Sequence, residues 1–374
     1  MKKYRYWIAG ILIILAGVFI IYSSKENEVK TVTVNEITAQ TSEITETSTS
    51  EPSMSPDDDN PDITDLSDKY KELGLIDAHN HDASGMKYLS MLRTWKDKGL
   101  KQIVMFGNVS EPSAILTDNL SWEAYQKYPD IIIPYFSGFD LHNPESLTVV
   151  RNNLEKGFFG LGEVVGASTM SPVVSKVAWK ANDPMDGYLP QIYDIIAEYK
   201  APILLHIDPP NGVAVAKLEQ ALEEHPKTII IFGHINAYNT PGEIDRLLSK
   251  HPNLYADFFA GFSVYNVEGG NNPEQFIPVM KKYPDRFMLS TDSGYGIDNE
   301  EMAIDAMYQM LDLLDDPDLA RKIAHDNLDA IIKAQPATDT QRELIRKLEQ
   351  DTGKIYHVES LSKVAAGQIL AETN

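Results

Sequence analysis

No cysteine occurs in the 374 residues. That excludes disulfide staples, thiolate metal ligands and a cysteine nucleophile, so any metal has to be held by histidine and carboxylate. Basic residues are few beside acidic ones, 33 against 55, and the net charge of −22 disfavours long-range attraction to nucleic acid or to an anionic bilayer surface. A small neutral or cationic substrate suits such a chain better, and no nucleic-acid partner is expected. Long uncharged apolar runs are also rare. Trp7 to Tyr22 is the conspicuous one, preceded by Lys2, Lys3 and Arg5 and followed by Lys25, Glu26 and Glu28.

A basic flank before an apolar segment, with no small-residue cleavage pattern after it, reads as an N-terminal membrane anchor over residues 1–22. The expected placement is a single pass in the cell membrane with the body extracellular, secretion after signal cleavage being the alternative. Residues 23–68 are rich in Ser, Thr, Glu, Asp and Pro, including the run Pro56-Asp57-Asp58-Asp59-Asn60-Pro61, and hold few large apolar side chains. Such a segment cannot bury enough surface to offset its chain entropy and is expected to be a disordered acidic stalk.

From residue 69 to 374 the texture changes. Eight short β-rich runs alternate with amphipathic stretches: Leu75 to His81, Lys101 to Gly107, Ile131 to Gly138, Phe158 to Val165, Ile203 to Ile207, Thr228 to His234, Asn253 to Phe259 and Phe287 to Asp292. Helical spacing recurs between them, as in Val213 to Glu224 and Pro241 to Lys250. Eight alternations predict an α/β fold, a (β/α)8 TIM barrel, with additional C-terminal helices over Glu300 to Ala371 closing or covering it. A doubly wound open sheet is the competitor. It lacks its glycine-rich first turn here, since Asn80, His81 and Asp82 follow the first strand.

In such a barrel the reacting groups sit where strands run into loops. The first strand ends Asp77-Ala78-His79-Asn80-His81, and alternation along a strand turns His79 and His81 to one side, a spacing suited to a metal ion. Glu163, His206, His234 and Asp292 close the fourth, fifth, sixth and eighth runs. One histidine at a strand end is usually structural; six ligand-type groups at five strand ends point to a metal site. His225 and His251, which follow helices and precede strands, belong to the opposite face, and a structural role is expected for His142, His325 and His357.

This ordered set resembles the amidohydrolase superfamily, in particular its amidohydrolase-related branch, and Ile323-Ala324-His325-Asp326-Asn327-Leu328 is similar to that branch's helix after the last strand. The resemblance spans roughly Leu75 to Ala334. It implies that His79, His81, His206 and Asp292 hold a divalent metal, zinc first, with manganese or iron as alternatives. It also implies that His234 binds a second metal or polarises the substrate carbonyl, and that Glu163 either bridges two ions or stands behind one. The reaction implied is metal-dependent hydrolysis of an ester, lactone or amide bond in a small molecule. A metal held by imidazole and carboxylate acidifies bound water, Asp292 takes the proton, and His234 steadies the oxyanion. Decarboxylation is the first alternative, disfavoured because no arginine lies at a strand-to-loop junction of the upper face; a nuclease like the TatD group and an inactive binding module are further ones. A homo-oligomer is compatible with all of them. Two long loops, Gly166 to Gly187 and Ala260 to Asn272, frame the expected pocket, with Trp179, Tyr238, Phe259, Phe262, Tyr265 and Tyr295 as candidate lining and Lys176 and Lys180 as the main cations.

Overall fold

Eight segments with continuous apolar character form eight parallel strands in a computed structural model that describes residues 66–265 and 271–373. They are β1 (Leu75–Asn80), β2 (Leu100–Met105), β3 (Ile132–Phe136), β4 (Gly160–Ala167), β5 (Pro202–Ile207), β6 (Ile229–Phe232), β7 (Leu254–Phe259) and β8 (Phe287–Ser290). The sheet order is sequential from β1 to β8, with registers such as Asp77 opposite Ile103 and Asp257 opposite Met288. β8 returns beside β1, where the Thr291 amide and hydroxyl donate to the two carboxylate oxygens of Asp77 at 2.9 and 2.6 Å. An eight-stranded parallel barrel with flanking helices results. All residues of β1, β3, β4, β5 and β8 are buried, as strands covered on both faces require.

Each strand is followed by a helix: α1 (Tyr88–Asp97), α2 (Ala114–Lys127), α3 (Ser146–Lys156), α4 (Leu189–Glu198), α5 (Val213–Glu224), α6 (Pro241–Lys250), α7 (Ile277–Lys282) and α8 (Glu300–Leu314). Local chemistry sets their ends. Thr240 and Glu243 form a reciprocal capping box at the start of α6, and the Asn299 side chain accepts the Met302 amide at the start of α8. Before α7 the chain forms a 3-10 turn, Pro273–Phe276.

Beyond α8 the chain forms α9 (Pro317–Arg321), a π-helical turn, α10 (Asn327–Lys333), α11 (Asp339–Thr352) and α12 (Lys363–Ala371). These cover the end of the barrel where strands begin. Asn327 donates to the carbonyls of Pro284 and Phe287, His325 Nδ1 lies 2.8 Å from the Gly74 carbonyl, and Gln335 and Lys363 donate to the carbonyls of Phe159 and Phe158. His225 and His251 lie at the same end, paired with Asp194 and Glu219. The opposite end, where strands finish, stays open to loops.

The expected anchor, residues 1–22, and nearly all of the expected stalk lie outside the described residues. Among those described, no helix is long and apolar enough to cross a membrane. The single-pass placement read from Trp7 to Tyr22 is corrected accordingly: it finds no spanning helix here and is withdrawn.

Candidate metal centre

β1 carries His79 at its C-terminal end, and the chain delivers His81 just beyond it. Their Nε2 atoms face each other at 3.1 Å. His79 Nδ1 lies 2.9 Å from Asp257 Oδ2, an oxygen that also accepts the His234 amide, and His81 Nδ1 lies 2.8 Å from the Gly107 carbonyl. A carbonyl and a carboxylate only accept, so the Nδ1 atoms carry protons and the two facing Nε2 atoms are left to meet a further proton or an ion. Asp292 Oδ1 completes the group at 3.4 Å from His79 Nε2 and 3.2 Å from His81 Nε2.

A second triad adjoins the first. Glu163 Oε1 lies 3.0 Å from His206 Nδ1 and 3.1 Å from His234 Nε2, which are 3.0 Å apart. Its other oxygen lies 4.0 Å from His79 Nε2 and 3.8 Å from His81 Nε2. Glu163 thus stands between the groups with one oxygen toward each. All six predicted residues meet at one mouth, but His206 groups with Glu163 and His234 rather than with His79, His81 and Asp292.

The charge of this cluster fits cations. Burial alone lowers the basicity of His79, but Asp292, Asp257 and Glu163 outweigh it and push the imidazole up to about 10. His206 follows the same pattern: burial opposes protonation, Glu163 and Asp208 favour it, and the result is about 9. Burial would raise Glu163 and Asp292, yet the surrounding imidazoles hold both below the ordinary carboxylate range. A field that draws protons onto buried imidazoles also favours divalent ions, which compete with those protons for the facing Nε2 atoms. His234 Nδ1 is buried and makes no hydrogen bond among the described residues.

Backbone strain marks the same place. His234, Asp292 and Ser293 have φ of 34, 44 and 50°, the left-handed region that non-glycine residues enter at a cost of about 1–2 kcal/mol each. The turn at Ser293 lets its hydroxyl accept the His81 amide at 2.7 Å. Gly107 is required by close approach, because a Cβ there would lie 2.2 Å from that of Thr117. Its carbonyl is thereby free to orient His81.

Three supporting residues were not singled out from the sequence. Asp257 is an acid inside an apolar strand, and full burial of such a residue demands partners, a signal that could have found it. Asp208 lies two residues beyond His206 and therefore on the same side of the strand; its Oδ2 is 2.8 Å from His206 Nε2. Burial opposes its ionisation, but His206, the Ser168 hydroxyl and the amides of Met170 and Thr169 hold it well below the usual carboxylate range. Ser293 gave no signal, since its role follows from the left-handed turn.

Above the triads lies a cavity of about 550 Å³. Of the predicted aromatics, Tyr238, Phe262 and Tyr295 line it. Phe259 is fully buried with its ring 4.9 Å from that of Phe262, and Trp179 and Tyr265 lie elsewhere. Val109, Val173, Val174 and Val177, none of them anticipated, make up much of the remaining wall.

The described residues therefore define a (β/α)8 barrel with two adjacent triads at its C-terminal mouth that could each hold a metal ion. Solved structures similar to this chain include an amidohydrolase from Mycobacterium avium subsp. paratuberculosis (13% identity, covering 65% of this chain and 73% of that one, TM-score 0.41). A probable 2-pyrone-4,6-dicarboxylic acid hydrolase from Acinetobacter baumannii with citric acid bound is another (14%, 69% and 99%, 0.47). A third is a dihydroxybenzoic acid decarboxylase from Polaromonas sp. JS666 with bound manganese and the inhibitor 2-nitroresorcinol (16%, 70% and 97%, 0.44). No family model matches the chain, and no curated protein matches it. With identities of 13–16% and TM-scores of 0.41–0.47, the assignment of chemistry rests on the site's own residues.

Proposed function

We propose that this barrel is a metal-dependent hydrolase that cleaves an ester, lactone or amide bond of a small substrate. The observation that carries the reading is the meeting of the Nε2 atoms of His79 and His81, 3.1 Å apart, with Asp292 beside them. His79, His81 and Asp292 would hold one ion and Glu163, His206 and His234 a second. A donor set of imidazole and carboxylate without sulfur suits zinc, with manganese and iron as competitors. When bound, such ions supply Lewis acidity that acidifies water and polarises a carbonyl.

The chain's own groups do the rest. Asp292, ionised at neutral pH, accepts the proton of the attacking water at its carboxylate and returns it to the leaving oxygen or nitrogen. The hydroxyl joins the acyl carbon as the acyl–O or acyl–N bond breaks. Asp257 and the Gly107 carbonyl fix the rings of His79 and His81, and Asp208 fixes His206, so the ligand atoms are aimed before substrate arrives. Decarboxylation would call for a cation to hold the departing carboxylate, and no Lys or Arg lines the cavity among the described residues.

Metal analysis of the purified full chain, followed by chelation and re-addition of zinc or manganese, tests the reading against a panel of esters, lactones and amides. Up to two divalent ions per chain and metal-restored hydrolysis are expected. Absence of bound divalent metal, or carbon dioxide release without hydrolysis, overturns it.

A further inference from the structure

We infer that the substrate of this site is uncharged and carries a bulky apolar group, the class of ligand being a neutral acyl compound with an alkyl or aryl body. The inference rests on the hydrolytic reading for the scissile end, and on the cavity wall for the remainder. Beyond the triads most of the wall is apolar, with Val109, Val173, Val174 and Val177 and the rings of Tyr238 and Phe262, beside the uncharged polar side chains of Ser84, Asn108 and Ser171. A volume of about 550 Å³ falls in the usual range for small-molecule sites and leaves room well past an acetyl-sized group.

Charge selection follows from what the wall offers. No Lys or Arg lines the cavity among the described residues: Lys176 is exposed and stands outside the lining, and Lys180 and Lys87 are engaged elsewhere. Lys180 donates to the Ser168 carbonyl at 3.0 Å, and Lys87 pairs with Glu300 at 2.9 Å and Asp82 at 3.1 Å. The one carboxylate lining the cavity outside the triads, Glu111, would repel an anionic tail. A substrate carboxylate or phosphate away from the triads would lose its water against valine and gain no counter-ion. An apolar group loses nothing there and releases ordered water.

The lip continues the same chemistry. Val173 and Tyr295 both line the cavity and are 47% and 50% exposed, while Met170, on the same loop as Val173, is 58% exposed. Apolar side chains left in water at the opening of an apolar cavity mark a ligand-contacting surface. A substrate body longer than the cavity is deep would be covered by them.

Two fluorescent probes that share a skeleton test this on the metal-loaded full chain: neutral N-phenyl-1-naphthylamine and its sulfonate, 8-anilino-1-naphthalenesulfonate. The neutral probe should bind about tenfold or more tightly than the sulfonate, because the sulfonate is desolvated without a partner. Val174→Asp should weaken the neutral probe by about tenfold for the same reason. Val173→Lys, at a half-exposed position that tolerates a polar side chain, should raise sulfonate affinity several-fold. In parallel, 4-nitrophenyl hexanoate should be cleaved in preference to the mono-4-nitrophenyl ester of adipate. Tighter binding of the sulfonate, or preference for the adipate ester, overturns the inference. If neither ester is cleaved while the probes behave as expected, the hydrolytic reading falls and the apolar, uncharged ligand class stands.

Discussion

His79 and His81 each commit Nδ1 to an acceptor, and that commitment leaves Nε2 as the atom that meets a proton or an ion. In the hydrolysis proposed above, Asp292 is the residue where ligand and base coincide. Its carboxylate stays ionised because imidazoles surround it, and a left-handed backbone at φ 44° turns it toward them. Asp292→Asn keeps the size and most of the polarity of the side chain but removes its ability to take a proton. Turnover should fall by about 10²–10⁴-fold, the usual contribution of a general base, with thermal stability close to that of the parent. Steady-state kinetics beside thermal melts check this, and near-full activity would remove Asp292 from the mechanism.

At the scale of elements, Asp208 joins two of them. Its Oδ2 meets His206 Nε2 at 2.8 Å and the Ser168 hydroxyl at 2.6 Å, and its Oδ1 accepts the amides of Thr169 and Met170 at 2.6 Å. One buried carboxylate therefore sets both the ring of a ligand at the end of β5 and the first turn of the loop after β4. That loop carries Val173, Val174 and Val177 into the cavity wall. Asp208→Asn should lower metal affinity at the Glu163, His206 and His234 triad by about 10–100-fold, as is usual when the partner of a ligating histidine is lost. The triad of His79, His81 and Asp292 should be spared. Competitive chelator titrations that resolve two binding steps decide it; two unchanged steps would reduce Asp208 to a loop anchor.

For the whole molecule, the cluster ties stability to pH through the metal. Without metal, His79 and His206 are held at about 10 and about 9 in the folded state, against 6.5 for an unperturbed histidine. Between pH 6.5 and those values the folded chain binds more protons than the unfolded one, so stability is present below pH 6.5 and is lost as pH rises through 9 to 10. Divalent ions replace those protons, so the loaded protein should lack this decline and should instead lose its metal on acidification, as histidines reprotonate. Melting temperatures measured from pH 6 to 10 with chelator and with zinc should diverge increasingly toward alkaline pH. Parallel curves would show that no ion binds at these histidines.

Eight apolar runs alternating with helical spacing are local patterns, so the barrel and the six polar residues at its strand ends could be read from the chain alone. Val213–Glu224 and Pro241–Lys250 even coincide with α5 and α6 at both ends, since periodicity and the Thr240 cap are written within a few residues. Which residues group together could not be read, because the meeting of Glu163 with His206 and His234 depends on how three separate segments are placed in space. Asp257 and the Gly107 carbonyl act across strands on rings fixed elsewhere in the chain, and no spacing rule connects them; Asp208, two residues beyond His206, is the exception. The apolar wall is likewise a property of loops folded over the mouth: four valines scattered through two segments become one surface only when the barrel brings those segments to the same rim.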